Sequence, residues 1–325
     1  MTALLAVVAA FLVGFAMKYG GLCTYAAALQ IVREQRFERL MAFLAAAAWT
    51  ALLVVPLAWL HSDELQLSGT HYHWGMALMG GALLGLGAWL NRGCVFGTFV
   101  QLTGGNLTYV ATLMGMVVGA VGAKYALSGI APIRTEASLL ATPDVWAVVW
   151  LLLAAVIALM HVTDFSFRTG EGRRGLQPVS AILVATTLGA GGGWLFAAVN
   201  GWDFATVLMR TAWHLLELAP AGPALLAISC TLSMVGGGVA AAIRQQRFTW
   251  QTPALGQSLG CFLGGALMGL AAVVLPGGND GLLLSGIPAL APHALTGFAM
   301  MLVSMLLLLV LLPNDKGFSI PGKRL

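Results

Sequence analysis

The order of apolar and polar residues along the chain predicts long hydrophobic helices separated by short polar segments. Most of the apolar runs cover about 20 residues, the length that an α-helix needs to cross the hydrocarbon core of a bilayer. Nine spans are expected, at residues 2–17, 40–60, 74–90, 106–125, 145–161, 178–199, 223–243, 254–275 and 292–312. Four short helices that follow breaks are expected between them, at residues 22–32, 94–102, 204–218 and 280–288. The pattern therefore predicts an all-α polytopic membrane protein with short broken or re-entrant helices.

Composition supports the same class of protein. Hydrophobic residues make up 59% of the 325 residues and charged residues only 9%. A soluble protein of this length would need far more charge to cover its surface. The net charge of +4 is therefore interpreted as a marker of membrane topology, and no nucleic-acid partner is expected. The chain is expected to be embedded in a lipid bilayer.

One element of the chain occurs twice, at a fixed separation of 184 residues. The stretch Gly80–Gly97, GGALLGLGAWLNRGCVFG, aligns without gaps with Gly264–Gly281, GGALMGLAAVVLPGGNDG, and nine of the eighteen positions are identical. Both copies begin as an apolar helix rich in small residues. Both are then broken at corresponding positions, by Asn91-Arg92-Gly93 and by Pro276-Gly277-Gly278. Hydrophobic helices that break at corresponding places in two halves of a chain indicate the binding site of a transporter.

The distribution of basic residues predicts how the two halves cross the membrane. Residues 1–162 form the first half with a linking helix, 163–177 a glycine-rich linker, and 178–325 the second half with a basic tail. Lys and Arg cluster at 33–39, 168–174, 244–247 and 314–325, and such clusters favour the cytoplasmic side. The N-terminus is then periplasmic and the C-terminus cytoplasmic. Because a single helix links the halves, the second is expected to be inverted relative to the first, around a central pathway.

Each break is followed by the start of a short helix, near Leu22, Cys94, Phe204 and Asp280. The first turn of a helix leaves backbone N–H groups unpaired and carries partial positive charge. Inside a membrane, such backbone survives only where it is buried in protein or lines a cavity. Helix starts that converge on one point suit an anion.

The residues of the breaks are the candidate lining of this pathway. Glycines at Gly21, Gly93, Gly277 and Gly278 allow the chain to turn and to approach a ligand closely. Asn279 and Asp280 follow the second-half glycines, and Asp280 either caps the short helix or lines the pathway. Lys18 and Arg92 adjoin the first-half breaks. Either could extend to a membrane interface or attract an anion.

Cysteines lie at both first-half breaks, Cys23 in Gly21-Leu22-Cys23 and Cys94 directly after Gly93. A thiol is a soft, polarisable group and a weak hydrogen-bond donor, so it can contact a sulfur-bearing anion without the hydration cost of a charged lysine. The alternative is that both are small buried hydrophobic residues. Cys230 and Cys261 lie inside continuous spans, where packing is the expected role. Since no CxxC spacing occurs, neither zinc nor a disulfide framework is indicated, and no metal or other cofactor is expected.

Taken together, the motif GGLCTYAAA around Cys23, the motif NRGCVFG around Cys94, the repeat and the ending PGGNDGLLLSGIPALAPHAL resemble the YeeE/YedE family of sulfur transport proteins. The resemblance covers essentially the whole chain. It implies nine spans plus short helices in a pseudo-symmetric, hourglass-like arrangement in the bacterial inner membrane. It also implies uptake of thiosulfate or a related sulfur anion, with a cytoplasmic sulfur-carrier protein as a candidate partner.

The chain departs from the thiosulfate-transporting members at one position. Those members carry a third cysteine in the second half, whereas the position that the repeat aligns with Cys94 is Gly278 here. A transporter of a related sulfur or selenium species is therefore an alternative. A second alternative is a sulfurtransferase-like membrane enzyme with Cys94 as nucleophile, since a thiolate is favoured at a helix N-terminus or beside a cation such as Arg92. The expectation is a transporter rather than an enzyme, because the sequence indicates no acid–base partner for turnover.

Overall fold

The computed structural model describes residues 2–61, 65, 67–71, 74–126, 135–136, 138–167, 178–199, 202–275 and 277–312. Its helices are α1 Thr2–Gly20, α2 Thr24–Glu34, α3 Glu38–Leu60, α4 Trp74–Asn91, α5 Val95–Leu102, α6 Val110–Ala126, α7 Val145–Phe167, α8 Pro178–Thr186, α9 Gly193–Ala198, α10 Phe204–Leu215, α11 Leu225–Arg244, α12 Leu255–Val274, α13 Gly278–Gly281 and α14 Pro292–Leu311. A 3-10 turn, Leu107–Tyr109, leads into α6. Two π-helical turns, Thr187–Gly192 and Leu282–Gly286, join α8 to α9 and extend α13.

The predicted membrane class is confirmed by the length and composition of these helices. Eight of the helical stretches in the described residues are long and apolar enough to cross a membrane. The ninth predicted span corresponds to the shorter apolar helix Ile182–Ala198. Large apolar side chains such as Trp146, Leu152 and Leu159 of α7 are exposed, as expected of a surface that faces lipid.

Some predicted features lie outside the described residues. They are the linker at 168–177, the break at 200–201, Pro276 and the basic tail from residue 313.

The loops before α4 and α7 form a short two-stranded sheet. Strand β1, Thr70–His71, pairs antiparallel with β2, Thr135–Glu136.

The long helices pack through small residues, which allow backbones to approach closely in the absence of a hydrophobic driving force. A Cβ atom on Gly115 or Gly119 of α6 would collide with backbone atoms of α12. In the same way, a Cβ atom on Gly14 of α1 would collide with the backbone of α11, and a Cβ atom on Gly237 of α11 would collide with the backbone of α1. Tight glycine contacts thus fix α6 against α12 and α1 against α11.

The packing partners follow the sequence repeat. Shifted by 184 residues, α4, α5 and α6 correspond to α12, α13 with its π-helical turn, and α14. Helix α4 packs against α14 as α12 packs against α6, while α4 and α12 pack against each other. Helix α1 packs on α11, and α8 and α9 pack on α3. The pairings are those expected of two related halves, and the inversion of one half across the membrane remains a prediction.

Candidate functional site

The first break separates α1 from α2. Helix α1 continues through Lys18 and ends at Gly20, so only Gly21, with φ of 60°, and the two residues after it form the break. The expected start of the short helix near Leu22 falls slightly later, at Thr24, and Cys23 is its N-cap in extended conformation. The Cys23 side chain makes no capping hydrogen bond.

The second break separates α4 from α5. The left-handed residue here is Arg92, with φ of 56°, whereas Gly93 does not have a positive φ. Glycine at position 93 is thus not needed for the backbone turn, contrary to the expectation from the sequence. Cys94 is the N-cap of α5, and its side chain also makes no capping hydrogen bond.

The two breaks bring their thiols together. Sγ of Cys94 lies 3.8 Å from Sγ of Cys23, and both cysteines are free. The backbone N–H of Thr24, in the first turn of α2, donates to Sγ of Cys94 over 3.2 Å. The cysteines are 7% and 1% exposed. The result is a buried pair of soft groups with a helix-start amide directed at one of them.

Close approach of α5 to Cys23 depends on Gly97. A Cβ atom at Gly97 would lie 2.5 Å from the Cys23 sulfur, well inside contact distance. Its partner in the repeat, Gly281, would place a Cβ 3.3 Å from the ring of Phe196. Gly97 was noted in the repeat but not as a site residue, and its role depends on a contact between segments that are distant in sequence.

Asn91 holds the second break in shape. Its Nδ2 donates to the carbonyl of Gly93 over 2.6 Å and to Oγ1 of Thr98 over 2.9 Å, while its Oδ1 accepts from Oγ1 of Thr112 over 2.6 Å. The side chain is fully buried. Asn91 therefore positions the backbone before Cys94, a role that sequence reasoning missed. An amide at the end of an apolar helix, next to the break, was the available signal.

The other two cysteines lie within continuous helices, as the sequence predicts. Cys230 is buried in α11. Cys261 is buried in α12, and its Sγ lies 3.9 Å from the carbonyl oxygen of Asn91. Cys261 thus contacts the end of α4 behind the Cys94 break, a contact that its place in the sequence did not indicate.

The second-half break reaches the same region. Gly277, with φ of 92°, is the N-cap of α13, and Gly278 has φ of 54°. Nδ2 of Asn279 lies 3.4 Å from Oγ1 of Thr24, to which it donates. The side chain of Asn279 therefore connects the start of α13 with the start of α2 beside the thiols.

Helix α10, which begins at the remaining predicted helix start, is connected to this group through the carboxyl side chains of Asp203 and Asp280. Asp203 caps α10, because its Oδ1 accepts from the Thr206 amide over 2.6 Å. Asp280 is not the N-cap of α13, which is Gly277, and lies inside that helix. Its carboxyl lies within hydrogen-bonding range of the Asp203 carboxyl. All four predicted helix starts are thereby linked through side chains in the interior.

The two candidate cations beside the first-half breaks differ in their surroundings. Lys18 is half-buried, and its Nζ donates to the carbonyl of Val100 over 2.6 Å. Arg92 is half-buried at the turn itself.

Within the described part of the chain, no group of three or more His, Cys, Asp or Glu side chains could hold a metal ion.

The chemistry of this arrangement suits a soft anion. The thiols are polarisable groups and weak donors, and the α2 and α5 starts add partial positive charge.

A family model described as sulphur transport matches residues 19–307, which contain all four breaks. Comparison with curated proteins gives no significant match.

Proposed function

Because the chain belongs to the sulphur transport family, known as YeeE/YedE, we propose that it takes up an inorganic sulfur anion, thiosulfate, through the Cys23–Cys94 site. The family and the apolar helices make the chain a multi-pass membrane protein of sulfur transport. Thiosulfate as the cargo is the further step. It is supported by the match between the chemistry of this anion and that of the site.

The observation that carries the proposal is the buried thiol pair, with its sulfurs 3.8 Å apart. Thiosulfate combines a soft terminal sulfur with hard oxygens. The terminal sulfur suits the two thiols, which are soft and weakly hydrated. The oxygens suit N–H groups at the starts of α2 and α5. In this proposal the anion passes the narrowest part of the pathway by successive contacts with Cys23 and Cys94.

The remaining predicted site residues have supporting roles in this proposal. Gly21 and Gly93 belong to the turns that carry the thiols, while Gly277, Gly278 and Asn279 bring the second half to the same point. A related sulfur or selenium anion remains an alternative cargo because Gly278 occupies the position of the third cysteine.

We further propose the bacterial inner membrane as the location, with the N-terminus in the periplasm and the C-terminus in the cytoplasm. The clusters of Lys and Arg at 33–39, 168–174, 244–247 and 314–325 support this orientation, since such clusters favour the cytoplasmic side. A cytoplasmic sulfur-carrier protein is the proposed partner, which would receive the anion or its sulfur after passage.

One observation also favours a second function. The Thr24 amide donates to Cys94 Sγ over 3.2 Å, and such a bond stabilises a thiolate, the form that acts as nucleophile. In a sulfurtransferase-like enzyme, the Cys94 thiolate would attack the terminal sulfur of thiosulfate, the S–S bond of the anion would break, and sulfite would leave, so that a persulfide remains on Cys94 until an acceptor thiolate takes its outer sulfur. Such an enzyme would release a changed product, whereas a transporter delivers the anion intact.

The test is uptake of thiosulfate labelled at its terminal sulfur by cells that lack other sulfur-uptake routes. Cells that make the protein should accumulate label faster than cells with an empty vector, and early intracellular label should be intact thiosulfate. Unlabelled selenosulfate or sulfite in excess then ranks alternative anions by competition. Label that stays on the protein with multiple-turnover release of a sulfur product would favour the enzyme, and equal uptake with and without the protein would refute thiosulfate transport.

A further inference from the structure

The second-half breaks bring two acidic side chains together in the interior. Asp203, which precedes α10, and Asp280, in α13, are 5% and 4% exposed. Their carboxyl groups lie within hydrogen-bonding range of each other. Within the described residues, neither carboxyl forms an ion pair with a lysine or arginine. Two acids thus meet in a buried place without a compensating cation from the described chain.

Each of these carboxyl groups has one oxygen without a donor among the described residues, Oδ2 of Asp203 and Oδ1 of Asp280. A buried oxygen without a partner carries a large desolvation cost. Two ionised carboxylates in direct contact would also repel each other strongly. A hydrogen bond between two carboxyl groups requires a proton on one of them, and a single proton removes the repulsion and lowers the desolvation cost of the pair.

We propose that Asp203 and Asp280 share one proton and form a proton-binding site that couples anion uptake to the pH gradient. This inference rests on the proposed function in one respect: the anion that moves together with the proton is the proposed sulfur anion. The proton comes from periplasmic water, binds a carboxyl oxygen, and leaves to cytoplasmic water. Only an O–H bond forms and breaks, so the step needs no oxidant or reductant.

The hydrogen bonds around the pair distinguish its two members. Asp203 accepts from the Thr206 amide, and amide donors favour the ionised form of a carboxyl group. The Oδ1 of Asp280 has no such donor. Asp280 is therefore the member that carries the proton, and Asp203 is its acceptor.

The elements packed against the pair provide few other charges. Helices α5 and α12, which pack against α13, contain no Asp, Glu, Lys or Arg. Helices α6 and α11, which pack against α10, carry Lys124 and Arg244 in their last turns, and Lys124 lies over the ring of Trp213. On α10 itself, Arg210 and His214 are exposed. The titratable group that acts on Asp280 besides Asp203 is the thiol of Cys94.

A short chain of contacts connects the acid pair to the thiols. Asn279 adjoins Asp280 and donates to Thr24, whose amide donates to Cys94. An ionised pair next to this site repels an anion at Cys94, and a protonated pair does so less. Protonation and anion binding therefore favour each other, which is the reciprocal coupling that cotransport requires. An entering proton also offsets part of the opposition that an inside-negative potential presents to an entering anion.

The test uses the purified full chain in liposomes, with labelled thiosulfate and the membrane potential clamped at zero by potassium and valinomycin. If one proton enters with each anion, each unit of pH gradient, acid outside, should raise the accumulation ratio about tenfold. Thiosulfate entry should also acidify a pH dye in the lumen. A sodium gradient that drives accumulation while a pH gradient does not would overturn the proposal.

Amide variants locate the effect. Asp280→Asn and Asp203→Asn keep the side-chain shape, and Asn at position 203 can still cap α10. In both variants, the thiosulfate exchange that remains should no longer respond to the pH gradient. The matched control is Asp144→Asn, which changes the acid that caps α7 through the Ala147 amide and should respond as the wild type does. Full pH dependence in Asp280→Asn would contradict the proposal.

A measurement without transport keeps the inference separate from the cargo. The purified protein at neutral pH should show the infrared carbonyl band of a protonated carboxylic acid, absent in Asp280→Asn and present in Asp144→Asn. A band that persists in Asp280→Asn, or no band in the wild type, would overturn the shared proton. Absence of thiosulfate exchange in the wild type with the band intact would refute the proposed cargo instead.

Discussion

In both halves a short helix starts after each predicted break, but the side chains at these starts differ in chemistry. In the first half, Cys23 and Cys94 are the N-caps of α2 and α5, and neither side chain caps its helix. In the second half, Asp203 caps α10 with a hydrogen bond to Thr206, and Asp280 lies inside α13. One half thus presents thiols and uncapped helix starts, and the other presents acids.

This difference separates two tasks that the repeat alone would assign to all four breaks. A capping carboxylate satisfies helix-start N–H groups and offsets the local positive charge, so the start of α10 is poorly suited to an anion. At the starts of α2 and α5 no N-cap side chain caps the helix, and the Thr24 amide is directed at the Cys94 thiol, so the partial positive charge of these starts lies beside the thiols. We therefore assign anion contact to the first half and proton binding to the second.

The largest effect is expected in side-specific labelling, which tests whether the halves are inverted. Single cysteines are introduced at Ser68 or Thr169 in a background without the native cysteines. The cysteine at position 68 should react only with reagent on the periplasmic side, and the cysteine at position 169 only with reagent on the cytoplasmic side. The reason is that the first lies in a loop segment without basic residues and the second in an arginine-rich one. An impermeant maleimide on whole cells and on inverted vesicles gives the measurement. Reaction of both positions from one side would refute the inverted repeat.

The next largest effect is expected from a methyl group beside the thiols. Gly97→Ala places a Cβ 2.5 Å from the Cys23 sulfur, so Cys23 or α5 must move and the thiol pair is disturbed. Uptake per folded molecule should fall roughly tenfold or more. Gly93→Ala is the matched control, because its Cβ would meet no atom closer than 3.7 Å. Equal uptake by the two variants would show that the spacing of the thiols is unimportant.

A smaller effect is expected from Asn91→Ala. The variant leaves buried groups of Gly93, Thr98 and Thr112 without their shared partner, which should lower the free energy of unfolding by about 3 kcal/mol. Thermal unfolding in detergent measures this loss. Asn106→Ala, which removes the cap of the 3-10 turn, should cost only about 1 kcal/mol. A loss for Asn91→Ala no larger than for Asn106→Ala would contradict the positioning role.

The smallest effect is expected from Lys18→Gln. Since the Lys18 ammonium is bound to the Val100 carbonyl, the change should alter the KM for thiosulfate by less than about twofold. Lys124→Gln, which alters a cation over the Trp213 ring, serves as the control. A large rise in KM for Lys18→Gln alone would show that Lys18 attracts the anion.

Much of the fold could be predicted because hydrophobic length is a local property of the sequence. The predicted span at 292–312 appears as α14 Pro292–Leu311, and that at 254–275 as α12 Leu255–Val274. The short helices at the breaks were also predictable, because glycine and asparagine interrupt apolar runs. The ends differed by a few residues where caps decide them, as at Cys23.

The contacts between breaks could not be predicted, because they join residues that are far apart in the chain. Nothing local shows that Gly97 approaches Cys23, or that Asp203 meets Asp280. The left-handed turn at Arg92 rather than Gly93 has a local origin instead. The Arg92 and Gly93 amides donate to the carbonyls of Trp89 and Ala88, which is the pattern of a helix C-terminal cap whose left-handed residue directly follows the helix.

The most direct test of the central claim is the initial rate of thiosulfate uptake by Cys94→Ser, normalised to folded protein in the membrane. Serine has a similar size but replaces a soft, weakly hydrated group with a hard hydroxyl. If Cys94 contacts the moving anion, the rate should fall several-fold or more, since one lost contact is worth about 1 kcal/mol or more. Cys230→Ser, in a buried helix position away from the breaks, should remain close to the wild type. Equal rates for the two variants would contradict the account.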